Sequence, residues 1–229
     1  MVMIDKCLPD LQNPSRVLLE QLNEDGFFQV QYAKDAGVVQ GYTLFEHTAM
    51  VLGQFEKYFA VRPWTGAVEI DVFRLMLCLH DIGKPIAVER GDKKLQHGVT
   101  LNIIDQAIDE KRVLLTDRDA CVVRALIDGD SIGSLLKGQR TVDESAAQIK
   151  LNAKASGLTL DQFFSLLVKY YQSDAGSYTA DAGGVEALDF LFVQDKIHQC
   201  FTFYDQEERL FFSESVEQNF KVLQKELFH

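Results

Sequence analysis

The residue pair His80-Asp81 constrains the fold of this chain more than any other feature of its sequence. The pair follows an apolar run, Val72–Leu79, that is long enough to form a buried helix. An imidazole and a carboxyl group at the inner end of such a helix cost several kcal/mol if they have no partners, which is comparable with the stability of a whole domain. We therefore expect other polar groups, or a bound ion, beside them.

Helical periodicity dominates the rest of the sequence. It predicts a helix that ends at His80-Asp81, a final helix at the C-terminus, and helices over about 14–24, 43–59, 97–111, 116–128, 141–156, 159–174 and 184–197. Residues 27–32 are expected to be irregular or extended, and residues 200–212 to form a hairpin. We therefore predict an all-α bundle, with room for a small β-hairpin near the C-terminus.

The length and the cysteine content bound the domain organisation. A chain of 229 residues fits one large domain or two small ones. The sequence has no internal repeat, no low-complexity tract and no linker long enough to separate domains, so we predict a single domain over residues 1–229. The four cysteines are scattered without a CxxC pair, which favours reduced, buried thiols over a disulfide framework or a zinc knuckle.

The charge of the chain excludes some partners. The formal net charge is −11, which disfavours extended nucleic acid and anionic membrane surfaces because both need a cationic face. No stretch approaches the ~18 consecutive apolar residues of a membrane span. The N-terminal residues also lack an uninterrupted apolar signal. We expect a soluble, cytoplasmic protein without a membrane partner, and its oligomeric state stays open.

Several polar residues lie on apolar faces of different predicted helices. These residues are His47, His80, His97 and Asp174. A single histidine on an apolar face is more often a satisfied core residue than a ligand, but a carboxylate is rarely buried without a partner. A divalent cation would satisfy several of these groups at once. Imidazole and carboxylate donors without a thiolate suit Mn, Fe, Co, Ni, Zn or Mg.

The order of these residues resembles a known motif. His47, the His80-Asp81 pair and Asp174 are similar to the H…HD…D motif of the HD-domain superfamily of metal-dependent phosphohydrolases. The string HDIGKP at residues 80–85 and the Gln96-His97-Gly98 start of a later helix most resemble the HD portion of bacterial tRNA nucleotidyltransferases and related stand-alone HD proteins.

This resemblance covers residues 42–179 and leaves residues 180–229 as a C-terminal helical extension. It implies an HD-domain-like helical bundle in which one metal is held by His47, His80, Asp81 and Asp174.

The chain also departs from the patterns of several groups of HD proteins. Two-metal HD proteins add two histidines after the pair, and His97 fits the first of these positions. The second position has no histidine, although Asp130 is expected on the helical face of Val123 and Ile127. His97 and Asp130 could therefore hold a second metal or contact the substrate. The GYP element of cyclic-di-nucleotide hydrolases and the acidic residues that follow the pair in alarmone hydrolases are both missing.

The resemblance implies phosphoester chemistry. A divalent metal with an open position activates water, and the oxygens of a phosphate can occupy that position. We expect a phosphoester or phosphoanhydride of a nucleotide, or of a similar small phosphorylated molecule, as the substrate. Asp81 would also orient the attacking water. Lys84 either contacts phosphate or is a solvated lysine that caps the helix.

Other interpretations remain open. Helical spacing assigns Tyr170 to the core and leaves Tyr171 and Tyr178 as candidates to stack on a base. A di-iron oxygenase of the same superfamily would need a second metal, with Asp130 completing the ligand set. A domain that keeps its metal for structure or signalling, without catalysis, is the third possibility.

Overall fold

The structure is an all-α bundle, as the sequence predicts. A computed structural model of the chain describes residues 13–37, 41–60, 63–64, 66–178, 192–193, 211–212 and 214–229. The helices in chain order are α1 (Pro14–Glu24), α2 (Gly26–Tyr32), α3 (Leu44–Phe55), α4 (Ile70–Leu79), α5 (Lys84–Glu89), α6 (Gln96–Asp109), α7 (Asp117–Ile127), α8 (Ser131–Leu136), α9 (Val142–Ser156), α10 (Leu160–Ser177) and α11 (Glu214–Phe228). A π-helical turn (Glu56–Ala60) continues α3, and a 3₁₀ turn (Lys93–Leu95) precedes α6.

Helix α4 is buried on all sides. Every residue from Val72 to Leu79 is inaccessible or nearly so, and the helix packs against α1, α3 and α7. Arg74 is the charged residue within this run. Its Nε donates to Glu56 Oε1 at 2.8 Å, and its Nη1 donates to Asp71 Oδ1 at 2.7 Å. These ion pairs explain how a guanidinium is tolerated in an otherwise apolar helix.

Helices α3 and α10 pack against each other and carry residues from distant parts of the sequence. Each begins with a capping box, in which a threonine and the side chain three residues later satisfy each other's backbone N–H groups. In α3 the pair is Thr43 and Glu46, and in α10 it is Thr159 and Gln162. The caps fix where each helix begins, and so fix which residues face the core.

Three short helices, α2, α5 and α8, occur where the sequence predicts none. Helix α2 replaces the irregular or extended stretch expected at residues 27–32, so that prediction was wrong. Asp25 Oδ1 accepts the Phe27 N–H at 2.9 Å, and Phe28 and Tyr32, four residues apart, are both fully buried. Helix α5 begins directly after Gly83, with Pro85 in its first turn, where the missing N–H costs no hydrogen bond.

The C-terminal region matches the prediction in part. Strand β1 (Phe192–Val193) pairs antiparallel with β2 (Phe211–Phe212). The helix predicted over 184–197 is therefore wrong at residues 192–193, and the remainder of that range lies outside the described residues. Only the last two residues of the predicted hairpin, 211–212, are described, and their partner strand lies earlier in the chain.

Helix α11 confirms the predicted final helix and packs against α9. Its residues Phe220, Leu223 and Leu227 are buried, and the Phe220 ring stacks on Phe164 with centroids 5.8 Å apart. Within the described part of the chain, no helix is both long enough and apolar enough to cross a membrane. A single domain over residues 1–229 stays a prediction.

Candidate metal centre

Two imidazoles and two carboxylates meet in the interior of the bundle. His47 Nε2 lies 3.4 Å from Asp81 Oδ2 and 3.4 Å from Asp174 Oδ1. His80 Nε2 lies 3.7 Å and 3.6 Å from the same two oxygens. The ligands of a tetrahedral ion with bonds of about 2.1 Å are roughly 3.4 Å apart, so these separations suit donors around one cation. The structure thus places the four predicted ligands beside one another, and the ligand atoms of three of them, His47, His80 and Asp174, are all close enough to one another to hold one ion.

The cluster contains buried atoms that lack hydrogen-bond partners. His80 Nε2 and Asp174 Oδ1 are both inaccessible, and no group in the described residues donates to or accepts from them. One ligand atom each from His47, His80 and Asp174 lies within 4.8 Å of the others, so these three residues could hold a metal ion. Buried polar atoms are normally satisfied, and a bound cation would satisfy these. The donor set therefore fits the metal that the sequence implies.

The end of α4 orients His80. This residue caps the helix, and its Nδ1 lies 2.6 Å from the Leu77 carbonyl oxygen. A carbonyl can only accept, so Nδ1 is the protonated nitrogen that donates, and Nε2 of the neutral ring faces the cluster with its lone pair. The negative end of the α4 dipole lies at the same place and favours a positive charge there.

Two side chains hold Asp81 in place. Gln96 Nε2 donates to Asp81 Oδ1 at 2.5 Å, and Lys84 Nζ donates to Asp81 Oδ2 at 2.7 Å. The Asp81 side chain is only 5% exposed. The sequence alone predicts no such role for Gln96, because the contact depends on how the start of α6 meets the turn after α4. The one signal that the sequence offers is the place of Gln96 in the string Gln96-His97-Gly98, which carries part of the resemblance.

The contact between Gln96 and Asp81 depends on a close approach of Gly83 to Thr100 in α6. The Gly83 N–H donates to Thr100 Oγ1 at 3.1 Å. A Cβ atom at Gly83 would lie 2.4 Å from the backbone nitrogen of Thr100, which is too close for any other residue without movement of α6. Glycine therefore lets α6 pack directly against the turn, and this packing brings Gln96 to Asp81.

Lys84 belongs to the cluster and is not a solvated cap. Its side chain is 13% exposed, and its Nζ also lies 3.3 Å from the hydroxyl oxygen of Tyr178. Burial acts to lower the pKa of Lys84, but the charge of Asp81 outweighs burial and raises the pKa well above its usual range. The ammonium is therefore charged at neutral pH.

Electrostatics keep the carboxylates ionised in the metal-free protein. Burial acts to raise the pKa of Asp81, but Lys84 and then His80 bring it well below its usual value. Burial likewise opposes ionisation of Asp174, whereas the imidazoles of His47 and His80 beside it bring its pKa well below its usual value. Burial acts to lower the pKa of His80, and the nearby Asp81 and Asp174 charges produce a net increase. The cluster thus provides negative charge for a cation.

Aromatic rings flank both imidazoles. The Tyr178 ring stacks on His47 with centroids 5.0 Å apart, and its hydroxyl oxygen lies 3.3 Å from His47 Nε2. The Tyr170 ring packs edge-on against His80 at 5.7 Å. Tyr171 is 7% exposed and belongs to the core, so the prediction that left Tyr171 as a candidate to stack on a base was wrong, whereas Tyr170 is partly buried and packs against the core. One face of Tyr178 is already occupied by His47.

The residues considered for a second metal are not brought into this cluster. His97 has a buried Nδ1 without a hydrogen-bond partner, yet among the described side chains it joins no group able to hold a metal. The predicted placement of Asp130 on the α7 face was wrong, because α7 ends at Ile127. Asp130 instead caps α8, where its Oδ1 accepts the Gly133 N–H at 2.9 Å. Its side chain is 40% exposed and lies 3.6 Å from Lys137.

Comparison with known proteins gives the chain no family. No family model, no curated protein and no solved structure matches it. The motif and the geometry of the cluster are therefore the features that bear on its function.

Proposed function

We propose that the protein is a metal-dependent phosphohydrolase of the HD-domain superfamily. Its substrate is a phosphoester or phosphoanhydride of a nucleotide, or of a similar small phosphorylated molecule. The observation that carries the proposal is the meeting of two imidazoles and two carboxylates, in which His80 Nε2 and Asp174 Oδ1 are buried without hydrogen-bond partners. A divalent cation explains these unpartnered atoms, whereas in an ordinary core each buried polar atom has a hydrogen-bond partner.

His47, His80, Asp81 and Asp174 would hold the metal. Imidazole nitrogen and carboxylate oxygen are ligands for Mn, Fe, Co, Ni, Zn or Mg, and the ligand types alone do not select among them. When bound, such an ion lowers the pKa of water and neutralises charge on a phosphate. One metal suffices for the proposal.

The residues of the chain itself supply the other functions. Lys84 presents a largely buried ammonium at the cluster, where it can bind a phosphate oxygen and stabilise charge that develops during cleavage. Asp81 Oδ2 faces the same point and can orient the attacking water or accept its proton. Gln96 holds the other oxygen of Asp81, so the carboxylate keeps one orientation throughout the reaction.

The overall charge is compatible with a small substrate. At a net charge of −11 the protein as a whole repels anions, so recognition of a phosphate must come from local cations. Lys84 and a bound metal provide such a local field. No structural observation favours the di-iron oxygenase, because His97 and Asp130 are not assembled with the cluster in the described residues.

The proposal is tested by metal analysis followed by activity measurement. The protein is purified without chelator, its metal content is measured, and it is assayed with each candidate metal against a panel of nucleotides and small phosphate esters. We expect about one metal per chain and metal-dependent phosphate release that the His80→Ala variant lacks. A chain that holds its metal and hydrolyses no member of the panel would instead be a metal-binding domain without this activity.

A further inference from the structure

We propose that the hydroxyl group of Tyr178 is a further ligand of the metal at this centre. The inference rests on the proposed metal centre and adds a residue that the motif does not contain. It concerns the donor set alone, and it can fail while the hydrolase proposal stands.

The hydroxyl lies at ligand spacing from the cluster. Its oxygen is 3.3 Å from His47 Nε2, close to the 3.4–3.7 Å that separates the imidazole nitrogens from the carboxylate oxygens. Neighbouring ligands of an ion with bonds of about 2.1 Å lie roughly 3.0 Å apart in octahedral geometry and roughly 3.4 Å apart in tetrahedral geometry. A cation bound to His47 Nε2 would therefore have the phenol oxygen within reach.

Two elements of the structure hold the hydroxyl there. Tyr178 caps α10 with helical backbone angles and follows Asp174 by four residues, so both side chains lie on one face of the helix. The Tyr178 ring also stacks on His47, with an angle of 28° between the two planes. One helix end thus presents a carboxylate oxygen and a phenol oxygen to the same point.

A bound cation is what ionises the phenol in this proposal. Burial and the charges of Asp174 and Asp81 raise the pKa of Tyr178 in the metal-free chain, although Lys84 Nζ lies 3.3 Å from the hydroxyl oxygen and opposes this increase. A cation bonded to the oxygen would stabilise the negative charge directly. On coordination the phenol O–H bond breaks, its proton passes to solvent, and an oxygen–metal bond forms without electron transfer. A phenolate beside two carboxylates gives a hard, anionic donor set, which favours iron or manganese over zinc.

Coordination of a phenolate to Fe(III) can be detected by visible absorption spectroscopy. The full-length protein is loaded with Fe(II) without oxygen, the bound iron is oxidised by one equivalent of ferricyanide, and excess reagent is removed. Iron content and the visible absorption spectrum are then measured. We expect a broad phenolate-to-Fe(III) charge-transfer band, together with tyrosinate vibrations in the resonance Raman spectrum.

Two phenylalanine variants identify the residue. Tyr178→Phe should keep its iron and lose the band. Tyr170→Phe is the matched control and should keep both, because the Tyr170 ring touches the other imidazole, that of His80. Iron-loaded parent protein without the band, or a band that persists in Tyr178→Phe, overturns the Tyr178 proposal and leaves the hydrolase proposal standing. A parent chain that binds no iron or other divalent metal overturns both.

Discussion

Lys84 Nζ lies 2.7 Å from Asp81 Oδ2, the carboxylate oxygen that also faces the two imidazoles of the candidate metal centre. A lysine three residues after the aspartate is thus part of the centre and is shielded from solvent with it. The ammonium balances charge without supplying a metal ligand. Its removal should therefore separate charge stabilisation from metal binding.

Replacing Lys84 by methionine keeps the length of the side chain and removes its charge. We expect metal content to be retained and turnover to fall roughly ten- to a thousandfold, because phosphate charge loses a stabilising cation. Lys34→Met is a matched control, since Lys34 forms a more exposed ion pair with Glu89 at 3.0 Å. Metal content and kcat are measured for both variants, and equal turnover in the two would remove Lys84 from the mechanism.

Loss of His80 should remove the metal. The His80→Ala variant deletes an imidazole whose Nε2 has no partner in the described residues, so the cation loses a ligand while the fold loses no hydrogen bond from that nitrogen. We expect metal content to drop at least about tenfold and metal-dependent hydrolysis to disappear. His97→Ala serves as the control, because His97 lies outside the cluster. The site assignment fails if His80→Ala keeps full metal occupancy by elemental analysis.

Asp174 should couple metal affinity to stability. Asp174→Asn keeps the shape of the side chain but removes the anion that faces His47 and His80. With metal at about a hundred times its Kd, the variant should melt roughly 5–10 °C below the parent, since binding to the folded state raises the free energy of unfolding. The difference should shrink when a chelator is present. Calorimetry that shows the same difference with and without chelator would argue against Asp174 as a ligand.

The pH dependence follows from His80. Its pKa is raised above the ordinary value of 6.5, so in chelated protein its protonation contributes stability that is fully present below about pH 6.5 and is lost as the pH rises through the folded-state pKa. A metal competes with the same proton for the imidazole. The metal-dependent gain in Tm should therefore increase from about pH 6 to about pH 8. A constant gain across that range, in paired melts with metal and with chelator, would contradict the assignment.

Gly83 provides a test of the packing between α6 and the turn. In Gly83→Ala the new Cβ would meet the Thr100 backbone, so we expect a loss of about 1–3 kcal/mol in the free energy of unfolding and weaker metal binding. Gly98→Ala is the control, because Gly98 lies in α6 and a methyl group there would have open space around it. That variant should be neutral or more stable by up to about 1 kcal/mol. Urea unfolding of both variants without metal measures the loss of stability that comes from packing alone, and metal binding is then measured separately.

The predictable part of the fold is the part that local chemistry decides. Thr43 and Glu46 mark the start of α3 because their reciprocal hydrogen bonds form within one turn. The apolar run of α4 indicates burial without knowledge of what covers it. Helix α2 was missed because two adjacent phenylalanines suit a strand equally well, and the burial of Phe28 in the folded chain decides between the two.

The candidate site was predictable only in its ligands. His47, His80 and Asp174 could be placed on inward faces by helical spacing, whereas the contact of Gln96 with Asp81 depends on the packing of α6 against the turn. The predicted position of Asp130 requires α7 to continue beyond Ile127, which it does not do. At that point the chain leaves the helix, and the Asn152 amide, from α9, donates to the Asp128 carbonyl oxygen at 2.8 Å.

The packing of α3 against α10 also determines when the centre can form during synthesis. His47 and Tyr178 are 131 residues apart in the chain, and Asp174 leaves the ribosome only just before Tyr178. A nascent chain that stops short of α10 carries both histidines but lacks the second carboxylate. Closing a chain segment of this length carries an entropic cost, so we expect the donors to meet only after the helices between α3 and α10 have packed. Metal binding would then report that α10 has packed against α3.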